Sequence, residues 1–111
     1  MPGARGGGVH NPTWLPWLVF LGGHALTLGS ASEEQPLPKH CTAVEIHAEG
    51  GVVYANINAA ASVGAPFYMG EDGGVFIGPL WNLNNLYLCS DANGATAHIA
   101  FFCESVDLQV D

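Results

Sequence analysis

Apolar and polar residues alternate, or fall in short runs, along most of this chain, and clusters of Gly, Pro, Asn and Asp separate the runs. Thr42, Val44 and Ile46 alternate with Ala43, Glu45 and His47, and Val53, Ala55 and Ile57 alternate with Tyr54, Asn56 and Asn58. A period of two sends one set of side chains to each face, which is the signature of a half-buried strand. The same reading predicts strands over 25–30, 42–47, 53–58, 67–69, 75–77, 83–89, 96–103 and 106–111. Glu49-Gly50-Gly51, Asp72-Gly73 and Asn93-Gly94 supply turns, because Gly accepts the positive φ that tight turns need. The stretch 90–94 reads as a hairpin loop between the strands on either side. No window carries a sustained helical stripe, and the links are too short and Gly-rich for the crossover helices of a parallel sheet. Seven or eight short strands at this spacing predict a small antiparallel β-sandwich or jelly roll.

Composition sharpens that picture. The chain has 111 residues, 49% of them apolar, which suits one core and not two. Ten acidic residues face two basic ones, and every carboxylate lies at or beyond Glu33. The body is therefore acidic, and the region before it carries only Arg5. A net charge of −8 excludes the electrostatic footprint of a non-specific nucleic-acid binder.

The first 24 residues read as an extended arm on a sandwich domain spanning 25–111. Residues 2–13 have little to bury, and WLPWLVFL follows them. Trp14, Leu15, Trp17, Leu18 and Phe20 are the candidate partner-binding residues, since exposed aromatics anchor protein interfaces. Two other readings stay open. The segment could act as a lid over the domain's own core, or residues 1–32 could be a signal peptide, with an apolar stretch leading to GSAS. At fifteen residues, interrupted by Pro16 and Gly22-Gly23, the run 14–28 falls short of the roughly 20 needed to span a bilayer.

Candidate chemistry is sparse. Five histidines and three cysteines form no C-x-x-C or H-x-x-x-H pair, so no metal site is assigned. Asp91-Ala92-Asn93-Gly94 opens like a calcium loop, but Phe102 stands where the bidentate Glu belongs. Glu71 and Asp72 are adjacent in a turn and point apart. Neither a nucleophile motif nor a phosphate loop is present, and no catalytic residue or cofactor is assigned. Cys41, Cys89 and Cys103 read as small buried apolar residues. A second possibility is a Cys89–Cys103 disulfide across the final hairpin, which leaves Cys41 odd.

Four stretches carry a resemblance: LTLGSAS at 26–32, CTAVEIHAEGG at 41–51, PFYMGEDGGVFIG at 66–78 and LWNLNNLYLCSDANGATAHIAF at 80–101. In the order of their strands and turns they resemble small bacteriophage virion proteins with β-sandwich folds. The resemblance covers about residues 26–103 and does not include Trp14 or Trp17. It implies a non-enzymatic structural protein on the capsid surface, of the decoration or cement type. Its partners would be the major capsid protein or other virion subunits, and its expected state a homo-oligomer, with a trimer the first expectation. No nucleic-acid or membrane partner is expected. The alternative is a secreted binding module, in which Tyr54, Tyr68, Trp81 and Tyr87 stack on carbohydrate or contact a protein.

Overall fold

The computed structural model describes residues 18–104, and among these every regular element is a strand. The strands are β1 (Leu18–Leu28), β2 (Glu33–Gln35), β3 (Ala43–Glu49), β4 (Val53–Ile57), β5 (Phe67–Met69), β6 (Gly74–Ile77), β7 (Leu86–Cys89) and β8 (Ala95–Glu104). They form two antiparallel four-stranded sheets. Sheet A has the order β1-β8-β3-β6 and sheet B the order β2-β7-β4-β5. Every link except β4–β5 carries the chain from one sheet to the other. That connectivity is a jelly roll.

The alternation seen in the sequence sets the faces. In β3, Val44, Ile46 and Ala48 are buried while Glu45, His47 and Glu49 are exposed. The inward residues meet Val53 and Ala55 of β4, Leu86 and Leu88 of β7, Met69, Ile77, Ile99 and Phe101 in one core between the sheets. A second, smaller cluster lies on the outer side of sheet A, where Leu18, Ala43 and Phe102 are buried and Phe76 and Ala100 pack against them.

Two expectations are corrected here. The boundary after residue 24 falls inside β1, which already begins at Leu18 and pairs with β8 from Leu18↔Glu104 to Leu28↔Ala95. Gly22 explains how an apolar run broken by glycines stays in the sheet. The register slips between Phe20 and Gly22, and Gly22 takes φ 137°, which L side chains rarely adopt. The bulge absorbs Leu21 and the ladder resumes. The second correction is the final hairpin. Residues 90–94 do turn, with Asn93 N–H donating to Asp91 Oδ1 at 2.9 Å and Gly94 N–H to the Asp91 carbonyl at 3.1 Å. They cross between sheets, however, since β7 pairs with β2 and β4 while β8 pairs with β1 and β3. The Asp72 turn likewise joins β5 of sheet B to β6 of sheet A.

Sheet B has short strands and is tied together by side chains. Asn58 sits at φ 62°; its Oδ1 accepts from the backbone N–H of Asn85 at 2.9 Å and of Asn84 at 3.2 Å, and its Nδ2 donates to the Asn82 carbonyl at 2.8 Å. Asn85 in turn donates to Glu34 of β2 at 2.9 Å. At the opposite end the buried Ser90 donates its hydroxyl to the Val52 carbonyl at 2.6 Å and its N–H to the Gly29 carbonyl at 2.7 Å. Gly78, which precedes a cis peptide to Pro79, lies so close to β3 that a Cβ there would fall 2.6 Å from the Thr42 carbonyl oxygen.

Candidate functional site

The outer face of sheet A gathers most of the surface chemistry. The ladders place Phe20, Phe102 and Ala43 in one row, and Ala25, His98, His47 and Gly74 in another, from Ala43 to His47 along β3. The ring of Phe102 is buried between two others. Phe20 meets it edge-on with centroids 5.8 Å apart, and Phe76 lies tilted at 5.9 Å. Phe20 keeps 37% of its surface exposed. Beyond this aromatic corner lies a shallow depression of about 590 Å³, floored by Gly23, Ala25 and Ala100 and flanked by Glu45, His47 and His98. His98 Nε2 is 2.6 Å from Glu49 Oε1, and both side chains are exposed. Period two alone put Glu45, His47 and Glu49 on one face. Placing His98 beside them required the β3–β8 register, for which no local signal exists.

The residues expected to form a partner-binding arm divide three ways. Trp14, Leu15 and Trp17 lie outside the described residues. Leu18 is fully buried against Ala43 and Phe102, so it holds β1 in the domain and is unable to reach a partner. Phe20 belongs to the aromatic corner, at the end of sheet A where the chain enters the fold.

The candidate surface aromatics do not make one platform. Tyr54 and Tyr68 are cross-strand partners on β4 and β5 with ring centroids 5.4 Å apart, and Tyr87 sits half-buried on β7 opposite Asn56 and Glu34. Trp81 stands apart on the β6–β7 link, 93% exposed. It borders a cleft of about 360 Å³ shared with Leu37, Pro38, His40, Thr42 and Asn84. The Thr42 hydroxyl in that region is buried without a hydrogen-bond partner.

All three cysteines are buried free thiols, and Cys89 and Cys103 lie in different sheets, so the disulfide across a final hairpin is not formed. Burial pushes the Cys41 thiol up, only partly offset by hydrogen bonds with the backbone of Phe102 and of Ala43, whose carbonyl is 3.3 Å from Sγ. Burial pushes Cys89 up as well. A nucleophilic thiol needs the opposite shift. Among the described residues no group of three His, Cys, Asp or Glu side chains is placed to hold a metal ion, and no helix is long and apolar enough to cross a membrane. Glu71 and Asp72 are both exposed in their turn. No family model, curated protein or solved structure matches this chain.

Proposed function

We propose that this protein is a non-enzymatic structural component of a virus particle, a decoration or cement subunit that sits on the capsid surface and contacts the major capsid protein. The observation that carries this reading is the aromatic corner of Phe20, Phe76 and Phe102. It lies where the chain enters sheet A, directly after the apolar segment that holds Trp14 and Trp17. Phe102 is buried there, while Phe20 and Phe76 keep apolar surface exposed, and such surface marks an interaction site. Jelly rolls recur in viral capsids, which raises the prior without deciding the function. On this reading the attachment contacts are Trp14, Leu15, Trp17 and Phe20, while Leu18 stays in the domain core. The test is density-gradient sedimentation of the chain with particles from its source. Particle-bound chain, with occupancy lowered at least tenfold by combined Trp14→Ala and Trp17→Ala, is the expected result. A chain that stays at the top of the gradient would refute the proposal.

Trp81 favours a second reading, a carbohydrate-binding module. Its indole is almost fully exposed beside a polar cleft containing His40, Thr42 and Asn84, and an aromatic face next to hydrogen-bonding groups suits a sugar ring. That reading does not sit easily with export by cleavage near residue 32, which would remove β1 and strip β8 of a ten-residue ladder. Glycan-array binding that disappears in Trp81→Ala would support it, and a blank array would count against it.

A further inference from the structure

The four edges of the two sheets are finished differently. In sheet B, β2 is three residues long, carries Glu33 and Glu34, and runs into Pro36. At the other edge, β5 is also three residues long and follows Pro66. In sheet A, β6 has four residues and stops at Gly78-Pro79. Short length, charge and proline are the usual means of keeping a free ladder from pairing with another chain. β1 has none of them. Its eleven residues, LVFLGGHALTL, include no Asp, Glu, Lys, Arg or Pro, and among the described residues it pairs on one side only, with β8. The bulge at Leu21 bends its start, and from Gly22 to Leu28 the register is unbroken.

The geometry points to β1 as the seam of a twofold homodimer, in which Gly22–Leu28 of two copies pair antiparallel about Ala25 to make one eight-stranded sheet. Three features select a second copy as the occupant. The segment is self-complementary in size. With Ala25 on the axis, Gly23 meets Thr27 and both meet Ala25 only as small neighbours on the outer face. On the inner face His24 meets Leu26, and Gly22 leaves room for Leu28. A closed twofold contact of this kind uses the same patch on both subunits. Exposure fits as well, since Gly23, His24, Ala25 and Thr27 are exposed and Leu26 is half-buried, so pairing covers apolar surface now in contact with water. Charge supplies the third feature. Each chain carries −8, and two copies approach with least repulsion along a strand that bears no carboxylate.

The test uses the full chain. Light scattering after size exclusion is expected to give twice the 11.6 kDa of one chain, and Ala25→Lys, which sets two ammonium groups together at the axis, is expected to weaken the dimer at least tenfold while leaving the thermal melt of the monomer intact. Residues opposite one another in an antiparallel pair lie about 4.5–5.5 Å apart at Cα, within disulfide reach. Ala25→Cys treated with diamide as the oxidant is therefore expected to cross-link into a covalent dimer, whereas Val63→Cys, on the exposed β4–β5 link, is not. A monomer, a trimer, a dimer indifferent to Ala25→Lys, or equal cross-linking at both positions would each overturn the inference. A monomer whose β1 amides nonetheless resist hydrogen exchange would overturn it too, by showing that the chain covers its own edge.

Discussion

Sheet A and sheet B are held together by different means. Sheet A has strands of eleven, ten and seven residues, and β8 is paired from Ala95 to Glu104 with β1 and from Thr96 to Phe102 with β3. Its order comes from long backbone ladders, with apolar side chains on both faces at one end. Sheet B has no strand longer than five residues, and two of its four have three. A ladder that short holds few bonds, and the sheet leans on side chains that reach into links: Asn58 clasping residues 82–85, Asn85 on Glu34, and Ser90 on Val52. The difference teaches where each half is vulnerable. Sheet A fails by losing a strand or a large apolar side chain, and sheet B by losing a single amide or hydroxyl.

The largest test of that contrast removes a strand. A chain beginning at Glu33 lacks β1, exposes one side of β8 and uncovers Phe102. We expect no cooperative thermal transition, and a normal melt would show that sheet A does not depend on its longest ladder. Next comes Phe102→Ala, which empties the centre of the three-ring corner and is expected to cost about 3–5 kcal/mol in urea titration. Asn58 gives the matching experiment in sheet B. Asn58→Gly keeps the left-handed backbone and deletes the clasp, for an expected loss of about 1–2 kcal/mol; Asn58→Ala adds backbone strain of about 1 kcal/mol more. Identical stability of Asn58→Gly and the parent chain would mean that the amide ties nothing together.

A pH series extends the comparison, with one thiol beside each sheet. Cys41 and Cys89 both have folded pKa values raised by burial, so the folded chain keeps protons that the unfolded chain releases. Their contribution is whole below the ordinary thiol pKa of about 8.5 and is lost as pH rises from there through the folded value. Stability should therefore fall with a shallower slope in Cys41→Ala and Cys89→Ala than in the parent, measured by urea titration across that range. An unchanged slope would argue that these thiols ionise alike in both states. The smallest effect belongs to the exposed His98–Glu49 pair. Glu49→Gln should shift stability by no more than about 0.5 kcal/mol, since exposed pairs contribute little.

The amino-acid pattern made the all-β class and most strand positions legible, because period two and Gly-containing turns are local signals. The strand expected at 67–69 coincides with β5, and those expected at 42–47, 53–58 and 75–77 lie within two residues of β3, β4 and β6. Three things escaped for physical reasons. β1 starts at Leu18, ahead of the strand expected at 25–30, because Gly22-Gly23 looks like a break in sequence and only the pairing with β8 shows the glycines serving a bulge. β2 has no counterpart among the expected strands because EEQ has no apolar alternation; its place in the sheet comes from its partner, β7. The turn at 90–94 closes no hairpin, because a turn sequence specifies a reversal and says nothing of which sheet receives the next strand. The surface groups behaved the same way. Glu45 and His47 could be put on one face from spacing, but their meeting with His98 depends on register, and the isolation of Trp81 from the three tyrosines depends on topology.

The pairing of β1 with β8 also sets the order in which the molecule can be made. Among the described strands β1 finds its only neighbour in β8, which follows it after six intervening strands, so this edge of sheet A stays open until β8 has been made. Non-local pairings of this kind fold slowly. Throughout that wait an uncharged, eleven-residue strand stands without a partner. The rate of closure, more than the depth of the finished core, then governs how much of this protein folds before neighbouring chains find one another.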